Sequence, residues 1–334
     1  MSAATAPAET AGRLSAENVA RWVRRNGWPV SLVGFFILLL VFTRLIQPTY
    51  GVPGLRGLAI SVLPLALAAV AQAIVVISGG IDLSIGSMMA LTSVVSATLM
   101  KDESEQVGIA VVVGVLILGT MLGALNGGLV VITRVPDIVV TLAMSFVWAG
   151  FALLVLNSPG GGSAEWLKDL LIGSFGSEWI PKAAIVLFVV VAIIWIPIRR
   201  SRLGLSIYAI GSNQLAAYRS GVSVGRTKVA AYVLTGLFSA LAGLSLTAST
   251  GIGTPVPGPY TLFSVAAVVL GGVSLVGGRG GVFGPIMGVF ILSLIRSDMT
   301  FLSVDTNLAL VAQGAILIGV VMVGSLIQLR RSRA

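Results

Sequence analysis

Apolar runs close to the length of a membrane-crossing helix recur along the whole chain. They fall at roughly 29–46, 58–78, 83–99, 107–131, 138–157, 182–198, 229–250, 262–277, 282–296 and 307–328. Each is near the ~20 residues a helix needs to cross ~30 Å of hydrocarbon. The runs are continuous, which excludes a closed barrel and leaves helices as the structure that satisfies its own backbone in lipid. The pattern therefore predicts an all-α polytopic membrane protein of about ten transmembrane helices. The Gly-rich runs at 262–277 and 282–296 are short and fit broken or partly re-entrant segments. Pro64 and Pro285 predict kinks.

Polar residues divide the chain around these runs. Residues 1–28 read as a polar tail rather than a cleaved signal peptide: Glu9 and Glu17 interrupt them, and no small-residue cleavage site follows the first apolar run. Arg21, Trp22, Arg24, Arg25 and Trp28 would anchor the first span at the interface. Residues 29–328 form a transmembrane domain with one long polar connection, 199–228, and residues 329–334 form a basic tail.

Lysine and arginine then orient the bundle. Placing the N-terminus in the cytoplasm puts 15 of the 21 basic residues inside: four in the tail, Arg134, six between 199 and 228, Arg279, and Arg330, Arg331 and Arg333. Arg44, Arg56, Lys101, Lys168, Lys182 and Arg296 fall outside, together with eight of the twelve acidic residues. That bias predicts both termini in the cytoplasm and an even number of spans.

Composition adds exclusions. The chain is 56% hydrophobic and 10% charged, with a mean hydropathy of +1.03, against about 25% charged residues in soluble domains. The net charge of +9 sits at span ends, so it reads as a topological signal rather than a nucleic-acid surface. Without cysteine or histidine, there is no disulfide, no Cys or His metal site, and no Ser/His/Asp or Cys/His nucleophile. The sequence holds no Gly-Lys dipeptide, so no phosphate-binding loop of the G-x-x-x-x-G-K-[ST] type can form. No catalytic, cofactor or metal residues are assigned.

Inside the spans the polar residues are neutral: Gln72, Asn126, Asn157, Thr141 and Gln313. Asp82 and Asp137 stand at span starts. A proton- or sodium-driven carrier usually keeps a titratable or anionic group near the bilayer centre, so energy is expected from another subunit. Gln72, Asn126, Thr141 and Gln313 are candidate solute-pathway residues, with helix-tying amides as the competing reading. An ion-coupled secondary transporter, a membrane scaffold and an intramembrane enzyme are the rival classes.

The connection 199–228 contains Ala209 to Val222, which reads as one short helix. Ser212 or Asn213 would cap its start, and Gly221 suits a left-handed C-terminal position. Gly123 with Gly127, and Gly280, Gly284 and Gly288, are spaced four apart, which predicts close helix packing. Asp82, after Gly79-Gly80, is expected to cap the next helix.

These motifs in this order resemble the permeases of ribose-type ABC importers. Gly79-Gly80-Ile81-Asp82-Leu83-Ser84-Ile85-Gly86-Ser87 is similar to that family's most recognisable signature. Gly211-Ser212-Asn213 with Ala216-Ala217 and Ser220-Gly221-Val222 resembles its coupling segment. Gly123 to Gly127, Val135-Pro136 with Thr141-Leu142, the Gly-rich block 271–284 and Gln313-Gly314 are similar to further family blocks. The likeness spans about 55–325. The family usually has an acidic residue after the coupling Asn and a basic one after Ala-Ala; here Gln214-Leu215 and Tyr218 stand there.

The resemblance implies a type II importer-like fold and a bacterial inner-membrane location. It implies import of a sugar or sugar-like solute by alternating access. Gly211, Asn213, Gln214, Ala216, Ala217 and Gly221 would contact an ATPase subunit that binds ATP and Mg. Gly79, Gly80, Asp82, Ser84 and Gly86 would serve gating or structure. The implied partners are that ATPase, an extracytoplasmic solute-binding protein and a second permease chain, identical or a close paralogue, all in a lipid bilayer and without nucleic acid.

Overall fold

Long apolar runs with helix-forming residues fold as helices wherever the backbone has no water to bond. The computed structural model describes residues 27–256 and 258–305 and isolated positions between 308 and 322. Twelve helices are formed among them, with no strand. They are α1 (Gly27–Ile46), α2 (Val52–Ile77), α3 (Ile85–Met100), α4 (Glu105–Thr133), α5 (Asp137–Val155), α6 (Glu165–Leu171) and α7 (Lys182–Arg200). They continue as α8 (Arg202–Ser212), α9 (Gln214–Arg219), α10 (Val224–Thr250), α11 (Tyr260–Leu270) and α12 (Phe283–Phe301). Seven of them (α1, α2, α4, α5, α7, α10 and α12) are long and apolar enough to cross a membrane; α3 and α11 are shorter apolar helices.

Nine of the ten expected runs therefore contain helices, and the chain is a multi-pass membrane protein. The run at 307–328, with Gln313, lies largely outside the described residues, as do most of 1–28 and all of 329–334. The run at 262–277 is broken, in line with the expectation for a Gly-rich segment, whereas 282–296 forms one unbroken helix. In the former the helix stops at Leu270, and Gly271 and Gly272 lead into a non-helical stretch to Val282. Pro285 sits in the first turn of α12, where the ring displaces no helix hydrogen bond, so it predicts no kink there. Pro64 and Pro197 lie inside α2 and α7.

The centre of the bundle is α2, buried along most of its length, with Val62 to Ile77 almost wholly enclosed. Around it pack α10, α11 and α12, and α10 also packs on α3 and α4. On the outside of the bundle, α1 rests on α12 through Leu32, Met287 and Ile291. The Trp28 indole donates to the Leu270 carbonyl at 3.1 Å. Small residues permit a close approach between α4 and α10. A Cβ on Gly123 would collide with the Tyr232 carbonyl oxygen, and one on Gly127 would lie 2.8 Å from the Tyr232 Cβ. Gly288 packs the same way on Ala267 of α11 and Gly284 on Gly271 just past its end, whereas Gly280 lies in the loop before α12.

The outward faces are apolar. On α4, Ile109, Val113, Ile117, Met121, Leu125, Leu129 and Ile132 form one exposed stripe. A surface of that size is tolerated in lipid or against another membrane chain and not in water.

Candidate functional site

One end of the bundle carries a projecting polar segment built from two short helices. Ser201 caps α8 by accepting from the Gly204 amide at 3.4 Å. Ile207, Ile210 and Gly211 turn inward. Asn213 then leaves the helical region (φ −163°), and its Oδ1 accepts from the Ala216 amide at 2.9 Å, which starts α9. The far end closes at Gly221 (φ +84°), where the Val222 amide donates to the Ala217 carbonyl and the Gly221 amide to that of Tyr218. That pair of bonds is a Schellman closure, which needs a left-handed residue. The short helix expected inside 209–222, capped at Ser212 or Asn213, is α9; Ala209 to Ser212 belong to α8, and an extended Asn213 separates the two. Asn213 is the cap, and Gly221 holds the left-handed position.

The segment presents mixed chemistry outward. Ala217 is buried, while Asn213, Gln214, Leu215, Ala216, Tyr218 and Arg219 are exposed. Leu215 (58% exposed) and Tyr218 (69%) lie one turn apart on an otherwise polar connector.

Behind it, α8 is seated on two turns from distant parts of the chain. A Cβ on Gly211 would collide with the Ile77 carbonyl oxygen and lie 2.6 Å from the Gly278 nitrogen. The Gly278 amide donates to that same Ile77 carbonyl at 2.9 Å. Gly278 itself adopts φ +67° against Ser212. The Tyr208 hydroxyl donates to the Gly280 carbonyl at 2.8 Å.

The Gly79–Gly86 motif leads from this contact into the bundle. Asp82 is fully buried, and its Oδ1 accepts from the Ser84 amide (2.8 Å) and hydroxyl (2.6 Å). It does not cap α3. Ser84 occupies the cap position, and Asp82 folds the loop two residues ahead of it. The Ser84 hydroxyl accepts from Asn126 Nδ2 at 2.7 Å, and Asn126 Oδ1 accepts from the Trp148 indole at 3.2 Å. Thr141 accepts from the Leu83 amide at 3.1 Å. Gly86 lies against Thr261 of α11, whose hydroxyl accepts from its amide at 2.9 Å.

Asn126 and Thr141 are therefore engaged in helix-to-loop bonds. Gln72 is wholly buried in α2 with neither amide atom hydrogen-bonded among the described residues. Asn157 is exposed in the loop after α5 and not inside a span.

Two partnerships were missed by the sequence reading. Lys228, expected only as a topological charge, pairs with Asp137 at 2.6 Å across 91 residues, and the Tyr232 hydroxyl donates to the same carboxylate at 2.9 Å. Trp148 joins the Asn126 network, and an indole in mid-span was the available hint. A cavity of about 490 Å³ opens beside this ion pair, bounded by Arg134, Pro136, Gln214, Gly225 and Lys228 among others. Among the described residues no three of His, Cys, Asp and Glu cluster as metal ligands would.

An apolar helical bundle with a capped, projecting segment seated on two glycine-bearing turns has the build of a membrane permease. Residues 54–321 match the family model described as branched-chain amino acid transport system / permease component, and the chain belongs to that family. It is 30% identical to the ribose import permease protein RbsC of Escherichia coli K12 over 88% of this chain and 92% of that one. It is 32% identical to the D-allose transport system permease protein AlsC of the same strain, over 75% and 77%. It is 33% identical to the L-arabinose ABC transporter permease protein AraH of Azospirillum brasilense, over 95% and 90%. No solved structure gives a significant match.

Proposed function

We propose that this chain is the transmembrane half of an ATP-binding-cassette importer that brings a monosaccharide or sugar-like solute into a bacterial cell. The observation that carries the reading is the near end-to-end alignment with permeases named for ribose, allose and arabinose. The projecting α8–α9 segment supports the ATP-driven class, since it offers a surface to a partner outside the lipid. In this reading the chain crosses the inner membrane ten times with both termini in the cytoplasm. Two copies, or this chain and a close paralogue, enclose the pathway, and an extracytoplasmic binding protein delivers the solute.

The mechanism follows from the build of the segment. ATP and Mg bind to the partner ATPase. Closure of two ATPase subunits shifts α9, whose exposed Gln214, Leu215 and Tyr218 form the contact, and the shift passes to the membrane helices as a rigid-body movement. No residue of this chain performs chemistry on the solute.

The test is uptake of labelled pentoses and hexoses into proteoliposomes holding the permease, its ATPase and its binding protein. Uptake should need ATP inside the compartment that contains the ATPase. Uptake by the permease alone under a proton or sodium gradient would establish the secondary-transporter class instead.

A further inference from the structure

Two glycine-bearing turns and the end of α8 meet at one point, beneath the segment read above as the ATPase contact; their glycines, Gly79, Gly211 and Gly278, lie 67 to 199 residues apart in sequence. We propose that this meeting point is the joint that carries movement of α8–α9 to the buried loop 81–86, and that Tyr208 and Gly278 are positioning residues for solute passage. The proposal rests on α9 being the docking surface.

The character of the contact is the first argument. Gly211 meets Ile77 and Gly278 backbone to backbone, with the Gly278 amide bonded to the Ile77 carbonyl at 2.9 Å. A contact between side chains can absorb a displacement by changing rotamer. A hydrogen-bonded backbone contact has no such slack. Tyr208, three residues before Gly211 on α8, adds a second tie to the same turn through the Gly280 carbonyl at 2.8 Å.

The second argument is what lies beyond. Both turns lead to the two apolar helices too short to span fully: α3, with 16 residues, and α11, with 11. Where a transporter helix is interrupted within the membrane, its ends commonly line the site. Loop 81–86 joins them, since the Gly86 amide donates to Thr261 of α11 and the Leu83 amide to Thr141 of α5. A displacement of α8 therefore reaches the ends of α3 and α11 through continuous polar and backbone contacts. Passive close packing of glycines is the alternative, and it predicts a different outcome.

The experiment uses the assembled importer in proteoliposomes, with Tyr208→Phe, Gly278→Ala and, as a control in open space, Gly128→Ala. Basal ATP hydrolysis, its stimulation by the binding protein, and solute taken up per ATP are measured. The chain has no cysteine, so Gln214→Cys cross-linking to the ATPase reports docking separately. Tyr208→Phe and Gly278→Ala should keep the cross-link and basal hydrolysis. Uptake per ATP should fall about fivefold or more in Gly278→Ala, the low end of coupling between sites, and to a smaller extent in Tyr208→Phe. Unchanged uptake per ATP in both variants with the cross-link intact would overturn the joint. So would losses of uptake and hydrolysis that merely track the amount of folded protein. Absence of the cross-link in the Gln214→Cys parent would overturn the docking reading, and this proposal with it.

Discussion

The same substitution at two glycines five residues apart on α4 should change stability in opposite directions. Gly123 faces α10, where a Cβ would collide with the Tyr232 carbonyl oxygen and lie 3.0 Å from the Gly236 nitrogen. Gly128 has nothing within 4 Å. Replacing glycine by alanine in a helix interior gains about 1 kcal/mol in either case. At Gly128 that gain is the whole effect. At Gly123 the atoms met are backbone, which cannot rotate away, so α10 must retreat by on the order of 1 Å, an overpacking that costs about 1–3 kcal/mol. The cost belongs at the upper end, because the retreat also loosens Gly119 against Gly236, where the helices touch backbone to backbone.

The expected separation is about 2–3 kcal/mol between Gly123→Ala and Gly128→Ala. At roughly 2 °C per kcal/mol for a long chain, the apparent melting temperatures should differ by about 5 °C. Thermal unfolding of the detergent-purified variants, followed by loss of the monodisperse species, reads this directly. Both variants share one helix and one solvent, so effects of insertion and detergent cancel. Shifts in the same direction would refute the claim that α4 and α10 are in backbone contact at Gly123.

Three further outcomes follow from single contacts. Asn126→Leu leaves the buried Trp148 indole without its acceptor and should destabilise by about 1–3 kcal/mol, measured by the same thermal assay. Uptake per folded molecule should stay at the parental level if the amide only ties helices. Asp137→Asn should cost more than Asp137→Asn combined with Lys228→Met, because the single variant strands a half-buried ammonium; a double-mutant cycle showing no coupling would dismiss the ion pair. Asn213→Ala removes the cap of a six-residue helix, costs about 1 kcal/mol locally, and should lower uptake that Asn213→Asp restores. Protease sensitivity at 213–220 gives an independent readout.

Apolar runs dominate their own local energetics, so the spans were legible without any knowledge of neighbours. The α9 caps were legible for the same reason, since Asn213 and Gly221 act within four residues of themselves. Gly211, Ser212 and Asn213 are weak helix formers and marked the start of α9; what stayed hidden was α8 itself, which runs from Arg202 to Ser212. Where α11 ends was hidden as well, because Gly271 and Gly272 permit a helix or a turn and Pro285 and Gly284 of α12 decide between them by packing against Gly271. Local statistics made Asp82 a helix cap, but burial turned it toward Ser84. No local pattern pairs Lys228 with Asp137 or brings Ile77, Gly211 and Gly278 together. Those contacts depend on the whole bundle.

The polar residues inside the bundle are few, and many already have partners. Asn126 joins loop 81–86 to α4 and α5, Thr141 holds the same loop, and Ser93 and Ser96 bond Thr247 between α3 and α10. A side chain that closes such a bond cannot offer it to a passing hydroxylated solute without leaving a buried group unpaired, at about 1–3 kcal/mol each. A sugar presents several hydroxyls, so a route through the interior of one chain would demand opening several of these bonds at once. A route along a surface shared by two chains demands none of them. The neutral interior thus fits the proposed pairing of permease chains with the pathway between them.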